Sequence, residues 1–378
     1  MNRKDQISMK TLLGLCKRIE DPRRRWGNKR HELTDVLVIA LLAIICNCEN
    51  WEEIRDYGRT KREWLRTFLP LSGGIPSEST FRRVFAMLLP ESLEQVYRQW
   101  VMPYIGSCLG KQICIDGKTN CGVRKRSNRT LHMVSAWVRE DGLSLGQVRT
   151  EEKSNEITAI PALLDTLSIA GGVVTIDAMG CQKEIAARIV QGEAQYVLAV
   201  KENHPTLYAE MKEYFDWAGE DPIEQRHLSE YKETVFDHGR TTKWHVTSTT
   251  DTVWFEDKGD WPGLRSFVRV ACVRDEKGQQ QRLERFYISS LQADASAYHR
   301  YIRGHWSIEN QLHWMLDVAF HEDQSLVNEG HAPQNLSLLR KMALFLLKAD
   351  SSVNASIARK RKIAGWDNAF AFSLFGLA

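Results

Sequence analysis

Two short apolar runs constrain this chain more than any other feature: Ile113-Cys114-Ile115-Asp116-Gly117-Lys118 and Val173-Val174-Thr175-Ile176-Asp177-Ala178-Met179-Gly180. Each is β-branched and largely apolar, as an interior strand covered on both faces must be, and each reaches an Asp that is followed within three residues by Gly. The pattern predicts two interior strands of an α/β sheet, each giving way to a turn at its carboxylate. Active sites of open α/β sheets form at the carboxyl ends of strands, so Asp116 and Asp177 would converge if their strands are neighbours. Taken singly, either Asp reads first as a turn former or helix cap.

A third carboxylate stands in a similar context. Read as one helix at about 100° per residue, Tyr298 to Phe320 puts Ile302, Trp306, Leu312, Leu316 and Phe320 within roughly 60° of Glu309. His305 and His313 lie one turn to either side. A carboxylate on a core face is costly unless a cation or strong donors compensate it. Glu309 is therefore either a buried Glu satisfied by Arg303 or a His, or a metal ligand. With two Asp in matching contexts, the set favours an oxygen-ligand site for Mg²⁺ or Mn²⁺. A zinc site from His305, Glu309 and His313 would lack the H-E-x-x-H spacing and leave both Asp unexplained.

At 378 residues and 43% hydrophobic content the chain has material for two or three packed domains. Its net charge of +3 conceals a clustered distribution, because residues 1 to 30 hold ten Lys or Arg against three acids, with further basic runs at Lys118 to Arg129 and Arg359 to Lys362. Separated basic blocks on a near-neutral chain suit a polyanion-binding protein, although each alone reads as a solvated surface. The longest apolar run, Val36 to Cys46, is too short to cross a bilayer and reads as a buried helix. With no secretory leader pattern and no C-x-x-C pair among eight Cys, the expectation is a cytoplasmic protein with reduced thiols and no membrane partner.

Residues 1 to 105 read as an all-helical accessory domain, with Leu33 to Cys46 and Trp51 to Phe68 as helices. Ser77-Glu78-Ser79-Thr80 caps a further helix through Arg82 and Arg83 that Pro90 stops. That helix is either a DNA recognition helix or an accessory helix whose arginines face solvent. From Lys111 the pattern changes to strands at Gln112 to Asp116, His132 to Val138 and Leu143 to Arg149. The last two are joined by a hairpin at Glu140-Asp141-Gly142. Helix, strand, helix and strand follow at Ala159 to Ser168, Val173 to Asp177, Gln182 to Gln191 and Gln195 to Val200. A β-rich, mostly antiparallel insertion at about 222–291 precedes the Glu309 helix. This order resembles a ribonuclease H-like domain, in which the first and fourth strands lie side by side. The expected fold is thus α/β: a helical segment 1–105, a ribonuclease H-like catalytic domain 106–350 with its insertion, and a C-terminal tail 351–378.

The block Ile302-Arg303-Gly304-His305-Trp306-Ser307-Ile308-Glu309-Asn310, continuing through Leu312-His313-Trp314-Met315-Leu316-Asp317-Val318 to Phe320-His321-Glu322-Asp323, resembles the signature of the ISAs1 family. These are DDE transposases of the IS4-like group, and the family includes the H-repeat-associated proteins of enteric bacteria. Ile115-Asp116-Gly117-Lys118, Ile176-Asp177-Ala178, Lys201-Glu202-Asn203 and His238-Gly239-Arg240 agree with it. The wider IS4-like pattern puts Tyr and Arg before its Glu as Y-x-x-R-x-x-x-E and a Lys seven residues after. This chain has Ile302, His305 and Leu316 there, so those three roles do not carry over.

The resemblance implies a DNA transposase that cleaves and joins the inverted-repeat ends of its own element to target DNA, acting on double-stranded DNA as a homodimer. Its chemistry would use two Mg²⁺ or Mn²⁺ ions, with Asp116 serving both and Asp177 and Glu309 one each. Lys118, Arg124, Lys125, Arg126 and Arg129 are expected at DNA phosphates, or else in a solvated hairpin. His305 is expected to touch the scissile phosphate or orient Glu309, or else to be a core His. Trp306 and Trp314 are core aromatics or stack on a base. Two alternatives share these residues: a metal-dependent nuclease without strand transfer, and a non-catalytic DNA-binding descendant, against which the intact carboxylate triad argues.

Overall fold

The computed structural model describes residues 8–23, 29–120, 131–150, 156–237, 239–276 and 278–376. Up to residue 105 the described residues form helices only: α1 (Met9–Cys16), α2 (Leu33–Ile45), α3 (Trp51–Thr60), α4 (Arg62–Leu65), α5 (Glu78–Met87) and α6 (Pro90–Ile105). All thirteen residues of α2 are buried, as its unbroken apolar sequence requires. The Thr80 amide donates to Ser77 Oγ at 3.3 Å and starts α5, while Pro90 opens α6 at its first position rather than merely stopping the helix before it.

The centre is one nine-stranded mixed sheet made of β1 (Gln112–Asn120), β2 (Leu131–Val138), β3 (Leu143–Arg149), β4 (Val173–Ile176), β5 (Gln195–Val200), β6 (Ser229–Asp237), β7 (Arg240–Thr249), β8 (Ser266–Glu276) and β9 (Gln279–Ser289), in the order β3-β2-β1-β4-β5-β9-β8-β7-β6. Among the described residues only β1–β4 and β4–β5 pair in parallel. These are the strands whose sequences are apolar on both faces. The inserted strands β6 to β9 are antiparallel and continue the same sheet through β9 against β5.

β1 is longer than its sequence suggested. It does not turn after Asp116 but runs to Asn120, because β2 supplies partners past the carboxylate: Asp116 opposite Ser135, Gly117 opposite Val134 and Lys118 opposite Met133. Only the pairing with β4 stops, at Ile115 opposite Ile176.

Helices α7 (Glu156–Leu164), α8 (Lys183–Gln191) and α9 (Pro205–Glu220) flank the sheet, followed after it by α10 (Ala295–His305), α11 (Trp314–Phe320), α12 (Ala332–Ala349), α13 (Ile357–Trp366) and α14 (Asn368–Ser373). α10 crosses the sheet from β6 and β7 to β1, β4 and β5, burying Tyr298 and Ile302 against Val197, Val246 and Val268. The first helices are not packed apart from the rest, since α2 lies against α12 and one continuous core runs from Met9 to Phe375. Residues 351–376, read from the sequence as a tail, hold α13 and α14, with Arg361 fully buried.

Candidate active site

The register Ile115 opposite Ile176 places Asp116 and Asp177 side by side where the parallel pairing ends. Asp177 caps the single 3₁₀ turn after β4, its Oδ1 accepting the Met179 amide at 3.1 Å. Asn203, from the turn after β5, holds that segment by donating to the Ala178 carbonyl at 2.8 Å.

The Glu309 helix reaches the same place through a close approach that a side chain would forbid. A Cβ on Gly304 would lie 2.1 Å from Gln112 Oε1. Its absence lets Gln112 Nε2 donate to the Tyr301 carbonyl at 2.6 Å and to Thr175 Oγ1 at 3.1 Å, tying α10 to β1 and β4.

Here the single-helix expectation fails. α10 ends at His305, and Glu309–His313 form a π turn in which the Trp314 amide donates to the Glu309 carbonyl. The extra residue per turn changes the phase. Ile308, Leu312, Leu316 and Phe320 take the core side, and Glu309 is exposed beside them rather than buried among them. π turns of this kind concentrate at functional sites, where they re-aim one side chain.

Asp116, Asp177 and Glu309 line one cavity of about 240 Å³ together with Thr175, His305, Trp306, Lys201 and Arg285. The Asp116 carboxyl is pushed up to about 7 by burial and then by the negative charges of Glu156, Asp177 and Glu309, against one backbone donor at Gly117. Glu156 and Arg285 were missed by the sequence reading. Glu156 opens α7 and bonds His132 Nε2 at 2.8 Å, and its only sequence signal was an acid at a helix start. Arg285 sits in an inserted strand where nothing in the sequence singled it out, yet its guanidinium lies 5.4 Å from the Trp306 ring centroid. Trp306 also packs on Trp244 at 6.1 Å, whereas Trp314 is 55% exposed and not a core residue.

Among the described residues no three His, Cys, Asp or Glu side chains already converge at metal-ligating distance. The donor set nonetheless suits a hard cation: it is all oxygen, and Asp116 resists ionisation through burial and then through neighbouring carboxylates, whose charge a cation would neutralise.

Burial disfavours the charged form of His305 and His313. His305 is pushed down to about 4 by burial, and its Nδ1 shares a 3.0 Å hydrogen bond with Thr175 Oγ1. His313, pushed down to about 3 by burial and by Lys341 and Lys118, stands 3.5 Å from Asp116 Oδ2.

Lys118 was expected at a phosphate. Instead its ammonium donates to Asp317 at 2.6 Å, Asp323 at 3.1 Å and Glu322 at 3.3 Å. Burial lowers its pKa, but these carboxylates outweigh that and hold it above the usual lysine range. The residue fastens the end of β1 to the corner after α11 and, through it, the Glu309 turn. Arg124, Lys125, Arg126 and Arg129 lie outside the described residues.

Gly117 has a specific role beside Asp116. A Cβ there would come within 2.1 Å of Glu156 Oε1 and 2.4 Å of His132 Nε2. Gly117→Ala is expected to drive that pair away and lower the melting temperature. A melting curve unchanged from wild type would show that the pair shifts at no cost.

Comparison with known proteins agrees with this geometry. Residues 111–346 match the family described as "Transposase DDE domain", and residues 15–101 match "DDE_Tnp_1-associated". The chain is 37% identical over 367 residues to "Putative transposase YncI" of Escherichia coli O157:H7, covering 94% of this chain and 92% of that protein. It is 32% identical over 378 residues to "H repeat-associated putative transposase YhhI" of Escherichia coli strain K12, covering 97% and 98%. Among solved structures it is similar to the piggyBac transposase in a synaptic complex with hairpin DNA, at 11% identity and a TM-score of 0.40, covering 100% of this chain and 79% of that one, a likeness too slight to argue from.

Proposed function

The chain belongs to the DDE transposase family, and on that premise we propose that its carboxylate cavity cuts DNA at the inverted-repeat ends of an insertion element and joins the freed 3′ ends to target DNA. The protein is a DNA transposase; the ends, the metal and the order of steps are the proposal. One observation carries it. Carboxylates from a strand, a strand-to-turn junction and a π turn, distant in sequence, line one cavity beside two cations, Lys201 and Arg285.

Mg²⁺ or Mn²⁺, two ions held by Asp116, Asp177 and Glu309, would supply the nucleophile activation and leaving-group neutralisation that phosphodiester cleavage needs. The chain's own groups do the rest. Lys201 and Arg285 draw the phosphate in and offset its charge. His305, neutral and with Nδ1 committed to Thr175, has Nε2 to offer a phosphate oxygen. His313 and the Lys118 cluster hold Asp116 and the Glu309 turn in place.

The same proposal extends to the rest of the chain. Its form of the Glu309 block is that of the ISAs1 group, residues 1–105 serve the 106–350 catalytic region as an accessory to DNA binding with 351–378 closing the chain, and the working form is a homodimer holding two ends in the cytoplasm. No described helix is long and apolar enough to cross a membrane.

Purified protein with Mg²⁺, a DNA carrying the flanking inverted repeats and a second DNA should give joined product, because the exposed 3′ hydroxyl remains in the cavity as the next nucleophile. Cut ends without joined product would make it a nuclease, and neither product would make it an inactive descendant.

A further inference from the structure

A second cavity stands apart from the carboxylate one. It measures about 990 Å³, lies among the first helices, and shares no lining residue with the site above. Six cationic side chains line it: Arg23, Lys29, Arg30, Arg59, Arg62 and Arg83. No carboxylate is among its described lining residues. They come from separate stretches: the segment before α2, the end of α3, α4, and the middle of α5.

The cavity has a built wall. Arg30 Nε donates to the Gly73 carbonyl at 3.1 Å, and His31 Nδ1 lies 3.1 Å from the Gly74 carbonyl. The two strips lie so close that a Cβ on Gly73 would fall 1.8 Å from the Arg30 carbonyl oxygen. Asp21 pairs with both Arg23 and Lys29, at 2.6 and 3.4 Å, and offsets one of their two charges. Among the described residues Arg30, Arg62 and Arg83 have no carboxylate within salt-bridge distance, Arg59 feels only the nearby charge of Asp56, and all four are exposed.

Arg30 and Arg83 donate one N–H each to a backbone carbonyl, of Gly73 and Ser79, but the positive charges that converge here are not neutralised and repel one another, so their arrangement calls for a polyanion. A single small anion would occupy one or two of these guanidiniums. A row of phosphates would occupy them all, each guanidinium presenting the planar fork that suits a phosphate.

Resting on the transposase reading, we infer that this cavity is a second DNA-binding surface, which grips the phosphate backbone of duplex DNA away from the carboxylate cavity. It positions the protein on DNA through the phosphates, which carry no sequence information of their own. Ser77 and Thr80, at the start of α5, also line it and add hydroxyl donors to the same backbone.

The test uses the full chain, a fluorescently labelled duplex carrying the element's inverted repeat, and anisotropy titrations across a salt series. Arg59→Ala/Arg62→Ala/Arg83→Ala should weaken binding at least about tenfold and flatten the slope of log affinity against log salt by about 2–3 units, one for each phosphate that no longer has a guanidinium against it. The triple Arg→Lys variant should keep most of the slope. If the Ala triple loses its circular dichroism spectrum, Arg62→Glu and Arg83→Glu made singly carry the same test, since both side chains are exposed. A wild-type slope in the Ala variant, while wild-type protein still joins DNA ends, overturns the cavity assignment and leaves the transposase reading standing. Wild-type protein that neither binds nor joins DNA overturns both. Tighter binding of an RNA duplex than of DNA, weakened by the same substitutions, overturns the choice of partner.

Discussion

Asp116→Asn, Asp177→Asn and Glu309→Gln are each expected to lower Mg²⁺-dependent end cleavage by about 10³-fold or more, measured as cut product under single-turnover conditions with DNA bound. Each change keeps the shape of the side chain and removes the charge that would hold a cation, so the loss falls on the chemical step. Cleavage within tenfold of wild type in any one of the three would remove that residue from the site. Asp116→Asn should also change stability in a direction that the other two need not share. In the folded protein its carboxyl is pushed up to about 7 by burial, Glu156, Asp177 and Glu309, whereas in the unfolded chain an Asp titrates near about 3.9. Between those values the folded state holds a proton that the unfolded state has released. Stability of the metal-free protein should therefore fall as pH rises from about 4 to about 7, by roughly 2–4 kcal/mol, and level off above. Denaturation midpoints in a chelator across that window measure it. Asp116→Asn should flatten the slope, and a slope that survives the substitution would place the titrating group elsewhere.

Arg361→Leu should be among the most destabilising single substitutions in the chain, costing about 3–5 kcal/mol by denaturant titration. The side chain is fully buried. Its guanidinium donates to the Ile44 carbonyl at 2.7 and 3.1 Å, to the Ala319 carbonyl, and to Glu49 at 2.8 Å. It joins α13 to the end of α2 and to α11, and its loss leaves buried carbonyls without donors. Arg361→Lys should recover little, because one ammonium cannot reach three acceptors set out for a planar fork. A midpoint within about 1 kcal/mol of wild type would mean that water replaces the guanidinium at these carbonyls.

Both predictions rest on features of unequal visibility in the sequence. The interior strands were legible because a parallel strand buried on both faces must be apolar throughout, which marked Ile113–Ile115 and Val173–Ile176 and the Asp at the end of each. The helical start and the antiparallel insertion were legible from caps, periodicity and turn residues. The extent of β1 was not, since Gly117 and Lys118 look like a turn until β2 is there to pair with them. Nor was the π turn, because an apolar stripe fits a continuous helix equally well, and only packing chose Ile308 over Glu309 for the core. Glu156, Lys118 and Arg285 take their meaning from side chains distant in sequence, His132, Glu322 and Trp306. Periodicity carries no trace of such pairings. The same holds for the basic cavity, whose arginines looked like solvated charge until the fold set them around one space.

Manganese placed in crystals of the protein tests the central claim most directly, because its anomalous scattering locates the ion independently of activity. The account predicts anomalous density in the cavity bounded by Asp116, Asp177 and Glu309, absent from crystals of Asp116→Asn. Manganese bound elsewhere, or an empty carboxylate cavity in protein that still cleaves DNA under the same conditions, would contradict it.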